Sequence, residues 1–187
     1  MELQSNPWTK LEDSLKYDNP WIRVNEHQVL NPAGNPGIYG VVHFKNLAIG
    51  VVPIDKEGYT WLVGQFRYPL NEYSWEIPEG GSSVDIDPQE GAHRELQEET
   101  GLMAENLIEI QRLHLSNSVS DELAILYVAT GLTQGEAMPE ETEELRVKRI
   151  PFEEAYQEVC AGKITDAMSV AGILKTKLLL DSGKLKY

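Results

Sequence analysis

Apolar positions in this 187-residue chain come in short runs, and the rhythm of those runs changes along its length. Alternating or continuous apolar segments of strand length fall at 21–30, 38–44, 47–54, 59–66, 107–113 and 123–129, and a further short strand is expected at 145–150. Helical periodicity replaces alternation at about 88–100, 151–160 and 167–180, the last segment opened by Thr165 and Asp166 as caps. The densest turn signal, Asn31-Pro32-Ala33-Gly34-Asn35-Pro36-Gly37, separates an N-terminal strand unit, 1–37, from the body of the chain, 38–187. Strands on both sides of a central helix, with more helix at the end, predict a mixed α/β (α+β) domain. Its mixed sheet is flanked by helices, and a small N-terminal β unit precedes it.

The central helix carries the chemistry. Asp87, Pro88 and Glu90 supply an N-cap, a first-turn proline and a capping-box acid, and Gly101 supplies the C-terminal stop. At about 100° per residue, Glu98 lies roughly 60° to one side of Glu95 and Glu99 roughly 40° to the other, so three carboxylates converge on one face. Arg94, one turn before Glu98, can hold that carboxylate in place. A solvated acidic face would gain nothing from this order. The like-charge neighbours cost roughly 0.2 to 0.5 kcal/mol each, and Glu98 and Glu99 sit at the wrong end of the helix dipole, for roughly 0.3 to 1 kcal/mol each. Local rules broken inside a well-capped helix point to a functional site. Clustered hard oxygen donors suit Mg²⁺ or Mn²⁺.

The same residues resemble the Nudix box, G-x₅-E-x₇-R-E-U-x-E-E-x-G-U with U aliphatic: Gly80, Arg94, Glu95, Leu96, Glu98, Glu99, Gly101 and Leu102 match. The isolated glutamate of the motif falls on Ile86, between Asp85 and Asp87. Glu76-Ile77-Pro78-Glu79-Gly80 and Gln65-Phe66-Arg67-Tyr68-Pro69 resemble segments of the ADP-ribose pyrophosphatases and related nucleoside diphosphate sugar hydrolases. That resemblance implies the Nudix fold, with Glu95, Glu98, Glu99 and the Glu79 carbonyl as metal ligands for two or three Mg²⁺ ions, Mn²⁺ being possible. It also implies that the acidic segment 139–147 supplies a general base and a further metal contact, Glu141 and Glu143 by residue matching, with the choice between them open. Arg94 joins this catalytic set. Arg67, Glu76 and Gly81 are candidate substrate contacts, and Tyr17 and Trp21, beside an Asp-Asn-Pro turn, are candidates to stack a nucleobase.

The implied reaction is Mg²⁺-dependent hydrolysis of the pyrophosphate bond of nucleoside diphosphate sugars such as ADP-ribose. Asn117 stands where ADP-ribose-selective members carry a proline, which argues for a broader range of sugars. Two alternatives stay open: a Nudix hydrolase of dinucleoside polyphosphates or nucleoside triphosphates, and a non-catalytic nucleotide-sugar sensor. The N-terminal unit, short of partners for its strand edges and apolar side chains, predicts a homodimer.

Charge and composition fit this picture. A net charge of -14 opposes a general nucleic-acid surface, and a pyrophosphate approaching so acidic a protein needs cations to bridge the repulsion. No segment is long and apolar enough for a membrane span, and no export signal is evident, so a cytoplasmic protein is expected. The single cysteine, Cys160, excludes an internal disulfide and reads as a buried apolar residue.

Overall fold

The structure, a computed structural model, describes residues 5–135 and 145–187. They divide into two compact units, 1–46 with 116–122, and 47–115 with 123–187. No helix among the described residues is long and apolar enough to cross a membrane.

The first unit is an antiparallel sheet of β1 (Thr9–Asp18), β2 (Ile22–Leu30) and β3 (Pro36–Phe44), in that order. Two asparagines make its turns, as short side-chain acceptors do. Asn19 Oδ1 accepts from the N–H groups of Trp21 and Ile22 at 2.9 and 2.7 Å. Asn31 Oδ1 accepts from those of Ala33 and Asn35, both at 3.0 Å. The Pro/Gly-rich turn therefore closes the β2–β3 hairpin, and β3 stays with the first unit, which is larger than the stretch 1–37 read from the turn signal. The segment 116–122 is fastened to β3: Val42 N–H donates to the Val119 carbonyl at 2.8 Å, and Phe44 N–H to Asp121 Oδ1 at 2.9 Å. The strand β1 has no counterpart in the hydrophobic pattern, because Thr-Lys-Leu-Glu-Asp-Ser-Leu-Lys-Tyr-Asp is largely exposed on both faces.

The second unit holds β4 (Asn46–Pro53), β5 (Tyr59–Arg67), β6 (Glu72–Glu76), β7 (Glu79–Ser83), α1 (Pro88–Thr100), β8 (Leu102–His114), β9 (Leu123–Gln134), β10 (Arg146–Pro151), α2 (Phe152–Cys160) and α3 (Ala167–Asp181). Its sheets run β7-β4-β9-β8 and β10-β5-β6. The central pair, β4 and β9, is parallel, with Ile49 opposite Ile125. Their near-continuous apolar sequences follow from burial on both faces. Ile49, Val51, Ile125, Tyr127 and Ala129 pack with Ala92 and Leu96 of α1. Val52, Leu126 and Val128, offset by one residue, pack with Phe152 and Ala155 of α2 and with Met168 and Ile173 of α3. The period of two thus sorts side chains to α1 on one side and to α2 and α3 on the other. Cys160, expected to be buried, is exposed at the end of α2, where the chain leaves the helix.

Candidate active site

The capping signals of α1 place its carboxylates. Asp87 caps it, accepting from Gln89 N–H at 2.9 Å, and Gly101 ends it in the left-handed conformation at φ 72°, donating to the Gln97 carbonyl at 2.8 Å. Between these stops Ala92 and Leu96 anchor the helix in the core, which turns Glu95 and Glu99 inward, 7% and 3% exposed, and leaves Glu98 partly open. The backbone of β7 runs against that face. Glu79 N–H donates to Glu99 Oε2 at 2.9 Å. Gly80 packs so closely on Glu95 that a Cβ at this position would overlap the carboxylate, which is the physical reason for a glycine there. Arg94 ties the pieces together: Nη2 meets Glu95 Oε1 at 2.6 Å and donates to the Gly81 carbonyl at 2.8 Å, while Nη1 donates to Glu98 Oε2 at 3.1 Å.

The structure therefore brings Glu79, Gly80 and Gly81 together with Arg94, Glu95, Glu98 and Glu99. Their oxygens are of the kind a hard divalent cation takes, although among the described residues the carboxylates whose oxygens gather within 4.8 Å of one another are Glu76, Glu79 and Asp166. The Gly80 cradle leaves the Glu95 carboxylate no side chain to displace it.

Arg67, at the end of β5, belongs to a second group of charges. Its Nε donates to Glu76 Oε1 and Oε2, both at 3.0 Å, and its Nη2 to Glu76 Oε2 and, at 3.0 Å, to Glu79 Oε1. Glu76 thus spends its acceptors on an arginine. Burial opposes the Arg67 charge, but the bonds and charges of Glu76, Glu79 and Asp166 outweigh it and raise the Arg67 pKa. Burial also pushes the Glu79 carboxyl well above its ordinary value, and the negative charges of Asp166 and Glu76 push the same way against Arg67. Asp166 itself is the N-cap of α3, its Oδ2 accepting from Ser169 N–H at 2.7 Å. By sequence Asp166 is a helix cap and no more. Its place among these carboxylates depends on a chain separation that no local pattern encodes.

Tyr17 and Trp21 are exposed, at 54% and 67%, in the first unit, and Asn19 Nδ2 donates to the Tyr17 hydroxyl at 3.3 Å. Ile86 is exposed in the loop before α1. Glu141 and Glu143 lie outside the described residues.

Comparison with known proteins places the chain among relatives. Residues 44–168 match the NUDIX domain, and residues 8–42 match the nucleoside diphosphate sugar hydrolase N-terminal domain. An ADP-ribose pyrophosphatase of Mycobacterium tuberculosis (strain ATCC 25618 / H37Rv) is 34% identical over 156 residues, covering 81% of this chain and 74% of the relative. An ADP-ribose pyrophosphatase of Bacillus subtilis (strain 168) is 33% identical over 128 residues, 67% of this chain and 69% of the relative. A methanol dehydrogenase activator of Bacillus methanolicus is 34% identical over the same length. Among solved structures, an ADP compounds hydrolase superposes with a TM-score of 0.85 over 98% of this chain and 100% of its own, at 19% identity, a likeness of fold.

Proposed function

The chain belongs to the Nudix family, and from that premise we propose that it is a Mg²⁺-dependent pyrophosphohydrolase of nucleoside diphosphate sugars, ADP-ribose among them. The observation that carries this reading is the joining of Arg94, Glu95, Glu98 and Glu99 on α1 to the Glu79–Gly81 backbone of β7. The match at residues 8–42 and the ADP-ribose pyrophosphatase relatives support the sugar-linked class.

Each residue has a part in the reaction. Arg94 holds Glu95 and Glu98, and Glu79 N–H holds Glu99, so the carboxylates meet the substrate already oriented. Glu95, Glu98, Glu99 and the Glu79 carbonyl would hold two or three Mg²⁺ ions, which when bound polarise the phosphoryl oxygen and lower the pKa of water. Arg67, clamped by Glu76 but still 35% exposed, binds the diphosphate or its ribose. The residue match assigns the water's proton to Glu141 or Glu143, a step typically worth roughly 10²- to 10⁴-fold. Water adds across the P–O–P link, giving a nucleoside monophosphate and a sugar phosphate. Tyr17 and Trp21 stack the base, and the N-terminal sheet of each chain meets a second copy in a homodimer.

Comparison of kcat/KM for ADP-ribose, GDP-mannose, a diadenosine polyphosphate and dGTP at fixed Mg²⁺, with products identified by mass, tests the assignment. Turnover of the two sugar-linked substrates is expected, with the others poor. Preference for either of the last two would replace the sugar class, and binding without turnover would make the protein a sensor.

A further inference from the structure

We propose that Ser169, on α3, is a positioning residue for the reaction, acting through the β6–β7 corner formed by Ile77 and Pro78. The inference rests on the pyrophosphohydrolase reading above, in which the Glu79 carbonyl and Glu99 are metal ligands.

The backbone of the corner leads to it. β6 ends at Glu76 and β7 begins at Glu79, and the two strands belong to different sheets, so Ile77 and Pro78 cross between sheets outside either ladder. A buried N–H in such a crossing still needs an acceptor. Pro78 has no N–H to satisfy, which leaves that of Ile77, a fully buried residue. Its acceptor is Ser169 Oγ, 2.9 Å away and 92 residues along the chain. Ser169 is itself 0% exposed, on the face of α3 that Gly172, Ile173 and Thr176 also bury. Packing alone would favour an apolar side chain there. The helix sits directly on the corner: a Cβ at Gly172 would lie 3.4 Å from Ile77 Cδ1 and 3.1 Å from Val52 Cγ2.

The corner joins the two groups of charges. Glu76, which precedes it, accepts from Arg67. Glu79, which follows it, donates its N–H to Glu99 Oε2 at 2.9 Å. Between them the Pro78 carbonyl accepts from Val51 N–H at 2.9 Å. The stretch 77–79 is thus held by α3 at Ile77, by β4 at Pro78 and by α1 at Glu79. Without the Ser169 bond the Ile77 end loosens, and the Glu99 carboxylate has to restrain the backbone that carries the Glu79 carbonyl. Loss of a partner that orients a metal ligand typically costs roughly 10- to 100-fold in metal affinity or activity.

Ser169→Ala and Ile173→Val separate positioning from packing. Each trims the buried face of α3 and each should lower Tm, but only Ser169→Ala removes the acceptor of the Ile77 N–H. Mn²⁺ binding to the full-length chain without substrate, followed by electron paramagnetic resonance of the free ion, should weaken roughly tenfold in Ser169→Ala and stay at the wild-type value in Ile173→Val. With ADP-ribose, well below either Tm, Ser169→Ala should need correspondingly more Mg²⁺ for its half-maximal rate and show a lower kcat, while Ile173→Val matches the wild type. Wild-type Mn²⁺ affinity and Mg²⁺ dependence in Ser169→Ala, whatever its Tm, would overturn the proposal. Equal weakening in the two variants would also overturn it, reducing the serine to packing. If the wild type turns over no nucleotide sugar, the functional reading falls, and Mn²⁺ affinity alone decides whether Ser169 positions the metal face. Should Ser169→Ala fail to fold, Ser169→Cys, close in size but a weak acceptor, takes its place with the same outcomes.

Discussion

At the scale of single residues, the carboxylates of α1 differ in what surrounds them, and their variants should differ accordingly. Glu99 is buried and takes the Glu79 N–H, whereas Glu98 is partly open and takes Arg94. Glu99→Gln and Glu98→Gln are each nearly isosteric. Both should lower kcat by roughly 10²-fold or more, of the order seen when a group stabilising transition-state charge is removed, with little change in Tm. Near-wild-type kcat at every Mg²⁺ concentration would exclude the residue from metal binding. Gly80→Ala should raise the Mg²⁺ concentration needed for half-maximal rate, because its Cβ would displace the Glu95 carboxylate. In the first unit, Asp13 is held down to about 2 from 3.8, first by the Asn25 hydrogen bond and then by Lys10. A depressed carboxylate contributes stability that is present above its unfolded pKa and lost as pH falls through the folded one. The Tm difference between wild type and Asp13→Ala should therefore be full above about pH 4 and fade toward about pH 2. The box residues were legible because a helix period brings neighbours in sequence together. Asp166 was not, because its partners Glu76 and Glu79 sit on another part of the chain.

At the scale of elements, α1 was readable to its last residue, since Asp87, Pro88 and Gly101 each have a backbone reason for their position. Replacing Gly101 with alanine forces a side chain into φ 72° and should cost about 1 to 2 kcal/mol in a urea titration. Ser169→Ala would leave the Ile77 N–H buried and unpaired, a loss of about 1 to 3 kcal/mol, and should loosen α3 from the β6–β7 corner. The strands β4 and β9 announced themselves as apolar runs because both their faces are covered. Three strands did not. β1 is polar and exposed, β6 is a five-residue segment, and β7 reads Glu-Gly-Gly-Ser-Ser, poor in the residues that favour strands. β7 forms because its backbone is held: the preceding Pro78 carbonyl accepts from Val51 N–H at 2.9 Å, and Glu79 N–H is bonded to Glu99.

At the scale of the whole molecule, the two-unit division bears on assembly. By register, Tyr17, Ile38 and Phe44 share one face of the β1–β2–β3 sheet with Ile22 and Val24, and all three are exposed. If that face meets a second copy, Ile38→Glu should shift the mass in light scattering from dimer toward monomer while leaving the folded signal in circular dichroism. The proposed chemistry belongs to the other unit, where the α1 face, assembled on the Glu79–Gly81 backbone, would cleave a sugar-linked pyrophosphate. Mass analysis of the products of ADP-ribose, for wild type and Glu99→Gln with and without Mg²⁺, tests this most directly. AMP and ribose phosphate from the wild type with Mg²⁺ alone are the expected result. Undiminished products from Glu99→Gln, or from the wild type without divalent metal, would contradict it.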